Sequence, residues 1–419
     1  MRMSVVGGGS TYTPELVDGI ARLRDSLALG ELVLADPSRD RLELVAGLCR
    51  RILAKHDHPA RIIATTDVDA GVTDSDVVLI QLRVGGQAAR IGDETWPLDC
   101  GCLGQETTGA GGLAKALRTV PVVLDIAERV RRRAAPNAWV IDFTNPVGIM
   151  TRALLDAGHR TVGLCNVAIG LQRYFAQLLE LPAERVQLDH VGLNHLTWER
   201  AVLVDGVDRL PELLDRHGSA IAERLGLPHD VLTRLGTVPS YYLRYFYRHD
   251  EVVDEQRLGP TRGERVADIE QELLAMYADS ALDEKPALLA QRGGAFYSEA
   301  AIDLVASLVS DRGDVQVVNV RNGSTLPFLS PEAVIEVPGR ITAIGASPIE
   351  LAPVEPLYAG LIAHVSAYEE LALDAALNGG RDRVFRALLA HPLIGQTHLA
   401  DELTDRLLDA NHEYLAWTR

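Results

Sequence analysis

The chain has 419 residues, 47% of them hydrophobic and 24% charged, which is ordinary globular usage and a length suited to two domains. Its net charge of -17 argues against broad attraction to nucleic acid or to an anionic membrane. No apolar run reaches the roughly twenty residues needed to span a bilayer.

In chain order, residues 2–6 read as a short apolar strand, 7–9 as a glycine turn and 12–24 as a helix. A second strand at 31–35 ends at Asp36. Residues 42–55 are helical, and strands follow at 60–64 and 77–82. Residues 83–112 read as a long glycine-rich loop. Residues 113–135 are mostly helical, with Pro121 marking a break or a first turn. Strands at 139–143 and 161–165 complete the first part. Strands separated by helices of this length specify an α/β fold over residues 1–167, a Rossmann-like, doubly wound parallel sheet. From 168 to 419 the pattern is α+β and mainly helical. Strands at 186–191 and 197–204 read as a pair, with Asp205-Gly206 as a turn signal. Helices follow at 211–225, 230–247, 264–278 and 299–309, interrupted by short strands at 315–320 and 334–337. A helical tail from 357 to 417 is broken at Asn378-Gly379-Gly380 and at His391-Pro392. Met1-Arg2-Met3 runs straight into a strand, so no signal peptide is expected. Cys49, Cys100, Cys102 and Cys165 read as thiols of a cytoplasmic protein, and Cys100-Gly101-Cys102 as two loop thiols rather than a metal knuckle.

Gly7, Gly8, Gly9, Ser10 and Thr11 lie between the first strand and the first helix. Glycines there let backbone amides approach a pyrophosphate at a helix N-terminus. Tyr12 or Pro14 stands where a third glycine would complete G-x-G-x-x-G. Asp36 ends the second strand, where a carboxylate accepts from the adenosine ribose hydroxyls and favours NAD over NADP. Alone it would read as a helix cap beside Pro37; strand, glycines and acid together favour the dinucleotide.

Cys165 and His195 each sit beside an asparagine, in Gly163-Leu164-Cys165-Asn166 and Gly192-Leu193-Asn194-His195. Singly they read as a buried thiol and a satisfied core histidine. Together, on loops after strands, thiolate and imidazole suit a first-row divalent ion with open positions for substrate oxygens. A metal and a dinucleotide in one pocket point to redox chemistry at a hydroxylated carbon. Thr144-Asn145-Pro146 follows the fifth strand and reads either as an amide over the cofactor or substrate, or as a plain helix start. Gly104-Gln105-Glu106-Thr107 reads as a functional loop or a mobile surface loop. Arg83, Arg90, Arg262 and Arg265 are candidate phosphate ligands, each alone more ordinary as a surface ion pair. In the aromatic run 239–247, one tyrosine is expected to have its phenol pKa lowered by a nearby cation, making it a base; a helix packing its aromatic face inward is the other reading.

With these motifs the chain resembles glycoside hydrolase family 4, the NAD- and metal-dependent glycosidases, over nearly its whole length, and within it the 6-phospho-β-glucosidase branch. The resemblance rests on Gly7-Gly8-Gly9-Ser10, Arg83-Val84-Gly85-Gly86-Gln87-Ala88-Ala89-Arg90, Gly104-Gln105-Glu106-Thr107, Thr144-Asn145-Pro146, the Cys165 and His195 segments and Tyr242-Leu243-Arg244-Tyr245. Asn319-Val320-Arg321-Asn322-Gly323, Val334-Ile335-Glu336-Val337-Pro338 and His391-Pro392-Leu393 add to it. It implies Cys165 and His195 as Mn²⁺ ligands (or ligands of another divalent first-row metal) and Tyr242 as the base, with Tyr241 as competitor. It implies Asn145 and Asn166 as substrate contacts, Arg90 and Arg262 as phosphate or sugar contacts beside Arg83, and Glu106 as part of the pocket. Asn166, where α-acting members carry Asp, points to β-linked substrates. Such enzymes depart from the two-carboxylate glycosidases. NAD⁺ removes hydride from sugar C3, the metal polarises the ketone, the base removes the C2 proton, the C1–O1 bond breaks by elimination, water adds, and hydride returns.

The expected function is therefore hydrolysis of 6-phospho-β-glucosides such as cellobiose 6-phosphate, in the cytoplasm. The second domain, 168–419, is expected to bind substrate and metal and to build a homodimer or homotetramer. Other specificities of the family (α-glucosidase, α-galactosidase, 6-phospho-α-glucosidase) are the first alternatives. An NAD-dependent 2-hydroxyacid dehydrogenase and a non-enzymatic NAD-binding sensor come after them.

Overall fold

The computed structural model describes residues 1–294 and 296–418. Strands β1 (Arg2–Val6), β2 (Glu31–Ala35), β3 (Arg61–Thr65), β4 (Val77–Ile80), β5 (Trp139–Asp142) and β6 (Thr161–Gly163) form a parallel sheet in the order β6-β5-β4-β1-β2-β3. Helices cover both faces, so β1, β2, β4 and β5 are buried along nearly their whole length. That is why they are near-continuous apolar runs rather than alternating ones. The chain winds from β1 out to β3, then returns to place β4 on the other side of β1. This reversal opens a crevice beyond the carboxyl ends of β1 and β4, the place where such sheets bind ligands.

Strands β7 (Val186–Leu193), β8 (Leu196–Val204), β9 (Val207–Asp208) and β10 (Val238–Pro239) make a second, antiparallel sheet. Strands β11 (Val315–Arg321), β12 (Val334–Thr342) and β13 (Gly345–Pro348) do something else. They extend the first sheet antiparallel from β6, with Asn319 opposite Gly163. The segment after residue 167 thus contributes to both sheets, and one hydrophobic core runs from Met3 to Leu415. A smaller core lies between β7, β8 and the helices Val167–Leu178 and Leu210–Leu225.

Two expected elements are corrected. Residues 83–112 are not one loop: a helix occupies Gly86–Asp99, and the next runs from Gly109 to Arg133 with Pro121 inside it. The glycines mark helix starts, with Gly85 at φ +83° as the cap. The middle of the buried face of the first of these helices is polar, Asp93 paired to Arg118 Nη1 at 3.0 Å and Glu94 beside it, with Pro97 and Leu98 buried only at its end, so no apolar stripe betrays it. The expected helix at 230–247 is also broken. It stops at Leu235, Gly236 turns at φ +63°, and Val238–Pro239 pairs with β8. A single turn at Tyr241–Leu243 and the helices Arg244–Tyr247 and His249–Arg257 follow. Pro239 lacks an N–H and cannot continue a helix interior. No helix among the described residues is long and apolar enough to cross a membrane.

Candidate active site

A cavity of about 1400 Å³ opens at the crevice. Gly7, Ser10, Asp36, Arg83, Arg90, Glu106, Asn145, Cys165, Asn166, His195, Tyr241, Tyr242 and Arg262 all line it, although they come from nine separate stretches of chain.

At the glycine turn, the Gly7 and Gly8 amides both donate to Ala35 O, at 2.9 and 3.0 Å, and the Gly9 amide donates to Asp36 Oδ2 at 3.0 Å. Asp36 also accepts from Ser38 N–H at 3.0 Å, ahead of the helix Arg39–Lys55. It therefore braces the turn while ending its strand at the cavity. Gly7 stands at φ +89°, and a Cβ there would lie 2.3 Å from Gln81 O; only glycine permits the chain to pass so close. Asn145 Oδ1 is buried with no hydrogen-bond partner. An acceptor left bare in this way calls for a donor, and a nicotinamide or sugar hydroxyl supplies one. Turn and amide together fit a dinucleotide.

Thr11 is a correction. It is fully buried and does not line the cavity: its hydroxyl donates to Glu270 at 3.1 Å and its carbonyl accepts from Tyr277 OH at 2.7 Å. Gly8 and Gly9 likewise pack beneath the turn, Gly8 on Leu34 and Gly9 on the Asp36 carboxylate. Glu270 also binds Arg41 and Arg292, at 3.0 and 2.9 Å. Burial opposes its charge, yet Arg292 and Arg41 hold it down to about 2. Arg41 in turn donates to Gly9 O at 2.7 Å. This clamp on the turn joins residues more than two hundred positions apart, and no local pattern announces it.

Cys165 follows β6 at the start of the helix Val167–Leu178, buried, with the amides of Val167 and Asn166 and the Asn194 side chain directed at its sulfur. Burial and the nearby Glu336 push its thiol pKa up; a cation is what would make it a thiolate. His195 occupies the tight turn between β7 and β8 at φ +65°. Burial pulls it down to about 4, so the ring is neutral and able to bind metal. Its Nδ1 lies 3.1 Å from Thr107 Oγ1, which leaves Nε2 as the ligating nitrogen. Among the described residues no three His, Cys, Asp or Glu side chains form a metal cage. A thiol and a neutral imidazole on one cavity wall fit a divalent ion with several open positions.

Tyr242 stacks on His195, ring centroids 3.6 Å apart and planes 7° from parallel. Tyr241 instead is 39% exposed and lies under the Arg244 guanidinium at 4.4 Å. The expected lowering of the phenol pKa is corrected. Burial, then Cys165 and Tyr245, push Tyr242 well above its ordinary value, and Arg90 only partly counters them.

The remaining wall is ionic. Glu106 accepts from Arg83, from Arg90 at 3.2 Å and from Lys115 at 2.7 Å. Burial opposes its charge but the three cations hold it well below the usual carboxylate range. Burial brings Lys115 down to about 8. Arg90 also binds Glu94 at 2.8 Å. Arg262 opens the helix Arg262–Tyr277 and donates to Gln291 O at 2.7 Å; burial, Arg90 and Arg265 draw its pKa down. Cations outnumber carboxylates along this cavity, in a chain that carries -17 as a whole. Lys115, Arg292 and Glu270 escape sequence reading, because they sit inside helices with no motif around them. The Gly104–Thr107 segment, which carries Glu106 and Thr107, and the arginines Arg83, Arg90 and Arg262 were the signals that pointed to this wall.

Two family models match the chain: one described as family 4 glycosyl hydrolase, over residues 2–181, and one as the family 4 glycosyl hydrolase C-terminal domain, over residues 190–394. The chain is 35% identical to a "Probable 6-phospho-beta-glucosidase" of Bacillus subtilis (strain 168), over 99% of this chain and 97% of that one. It matches the structure of the 6-phospho-beta glucosidase from Thermotoga maritima with NAD and glucose-6-phosphate at a TM-score of 0.93, with 31% identity and 99% of both chains covered. The form of that enzyme with manganese, NAD⁺ and glucose-6-phosphate matches at 0.91, with 30% identity and the same coverage.

Proposed function

The chain belongs to the family 4 glycosyl hydrolases, and from that premise we propose that it hydrolyses 6-phospho-β-glucosides, cellobiose 6-phosphate among them, with NAD and a divalent metal, Mn²⁺ first, as cofactors. The observation that carries the reading is the stack of Tyr242 on a neutral His195, in the cavity that also holds Cys165 and the glycine turn. NAD supplies reversible oxidation at sugar C3, and the metal supplies polarisation of the oxygens on C2 and C3, so hydrolysis proceeds with no net redox change.

Each residue then has a task. The cavity face of the glycine turn, at Gly7 and Ser10, receives the pyrophosphate, Asp36 the adenosine ribose and Asn145 the nicotinamide or the sugar. Thr11 acts at second hand, anchoring the turn through Glu270. Cys165 and His195 hold the metal. Tyr242 takes the C2 proton; its stack fixes the phenol beside the ligand that it works with. Arg83, Arg90 and Arg262 receive the charge of the 6-phosphate and the sugar hydroxyls. Glu106 orders two of those arginines, with Lys115 behind it. Asn166 touches the sugar, and its amide offers no carboxylic proton to an α-linked leaving group, which favours β-linked substrates. The names of the relatives weigh against the 2-hydroxyacid dehydrogenase and the sensor.

The test is a panel of α- and β-linked aryl glucosides with and without the 6-phosphate, assayed with NAD⁺, Mn²⁺ and a reductant. Only the phosphorylated β-glucosides are expected to turn over, with solvent deuterium entering C2 in heavy water. Turnover with neither NAD⁺ nor metal overturns the reading. We also infer a cytoplasmic setting, supported by four free cysteines, and a homodimer or homotetramer, on family likeness alone.

A further inference from the structure

Behind Cys165 and His195 lies a buried polar cluster that the proposed reaction leaves without a task. Glu336, His190 and Glu199 are each no more than 1% exposed. Charged groups are held that deep only when something recovers the cost of drying them. Glu336 stands on β12 opposite Asn319 of β11, and Asn319 stands opposite Gly163, two residues before Cys165. The strands meet closely there: a Cβ on Gly163 would lie 2.9 Å from Asn319 Cβ.

Glu336 Oε2 accepts two side-chain amides at once, Asn319 at 2.8 Å and Asn194 at 2.9 Å. Its Oε1 lies 3.2 Å from His190 Nε2, and His190 Nδ1 lies 2.7 Å from Glu199 Oε1. Asn194 immediately precedes His195 and also directs its amide at the Cys165 sulfur. The thiol and the imidazole come from different sheets, so neither sheet's hydrogen-bond ladder sets the distance between them. One carboxylate does span that gap. It grips the His195-bearing turn through Asn194, and the strand beside the Cys165-bearing one through Asn319.

We propose that Glu336 is a positioning residue, which sets the separation of Cys165 and His195 and so the affinity of the site for its divalent ion. This rests on the reading of those two residues as metal ligands. Partners behind a ligand shell commonly carry about 10- to 100-fold in metal affinity.

Mn²⁺ binding is measured by the loss of the free Mn²⁺ electron paramagnetic resonance signal, with NAD⁺ present, for the parent protein and for Glu336→Gln, Asn194→Ala and Asn319→Ala. Glu336→Gln is expected to weaken Mn²⁺ by about tenfold or more, to keep the parent's near-ultraviolet dichroism, and to regain kcat as Mn²⁺ is raised to saturation. A general structural defect would not be cured by metal. Each asparagine variant cuts one arm and is expected to shift affinity in the same direction by less. Should Glu336→Gln not fold, the asparagine variants decide. The proposal falls if the folded variants bind Mn²⁺ as tightly as the parent. If the parent binds no Mn²⁺ that Cys165→Ser removes, the ligand assignment fails first and the positioning role goes with it.

Discussion

At the scale of single residues, the site is a set of groups whose chemistry depends on dryness. The His195 ring is neutral because it is buried, and Tyr242 resists ionisation for the same reason. A buried phenol that must take a proton needs a cation beside it. Tyr242→Phe is therefore expected to lower kcat by about 10²- to 10⁴-fold with KM little changed, and Tyr241→Phe to leave kcat near the parent value; steady-state kinetics on a phosphorylated aryl β-glucoside decides between the two tyrosines. Asp36 carries two hydrogen bonds at the glycine turn as well as its charge. Asp36→Ser is expected to raise KM for NAD⁺ roughly tenfold, the loss of about one charged hydrogen bond, and to narrow the preference over NADP⁺. Asp36, Asn145, Cys165 and His195 were legible as residues of the cavity lining because each ends or follows a strand, and strand ends are where this architecture gathers its ligands. Thr11 was misread because a turn sequence does not state which way a side chain points.

At the scale of elements, the informative places are those where local pattern and fold disagree. The helix Gly86–Asp99 carries Arg90 into the cavity while burying Asp93 and Glu94. Its inward face is polar at Asp93 and Glu94 because these meet Arg118 and the start of the helix at Arg262, where the Gly263 amide donates to Glu94 at 2.6 Å. Apolar periodicity reports burial only when burial is apolar. The break at Gly236 is the opposite case: Gly and Pro stood in the sequence, yet the aromatic run beyond them read as a continuous helix. That break is what brings Tyr242 against His195. Thr261 offers a clean test of an element. It caps the helix Arg262–Tyr277 in a reciprocal box with Glu264. Thr261→Ala is expected to cost about 1 kcal/mol in urea unfolding, and to raise KM for substrate because Arg262 is the first residue of that helix.

At the scale of the whole molecule, burial of ionisable groups makes stability depend on pH in a definite direction. His190 is opposed by burial but raised to about 10 by Glu199 and Glu336. Asp142 and Glu369 are each raised to about 8 by burial. In all three the folded state holds a proton that the unfolded chain gives up earlier. The His190 contribution is full below about 6.5 and is lost as pH rises through 10. The two carboxyls disfavour folding increasingly as pH climbs toward 8. Lys115, drawn down to about 8, works the other way above that pH, so the metal-free protein is expected to lose stability, on the order of a few kcal/mol, between pH 6.5 and 8. Urea midpoints at pH 6.5 and 8 measure it, and a midpoint that rises between them contradicts it. All three groups act between pH 6.5 and 8 and only His190 among them above it, so the loss is expected to be steepest below pH 8. The sequence by itself determined the α/β sheet, its glycine turn and acid, and the thiol–imidazole pair, because these follow from apolar runs, glycines at strand ends and ligand chemistry, all local to the chain. Only the tertiary structure decided that β11–β13 complete the first sheet, that Glu106 is shared by Arg83, Arg90 and Lys115, and that Tyr242 rather than Tyr241 meets His195. Those outcomes depend on contacts between distant residues, and a contact of that kind leaves no period, spacing or composition in either partner's neighbourhood.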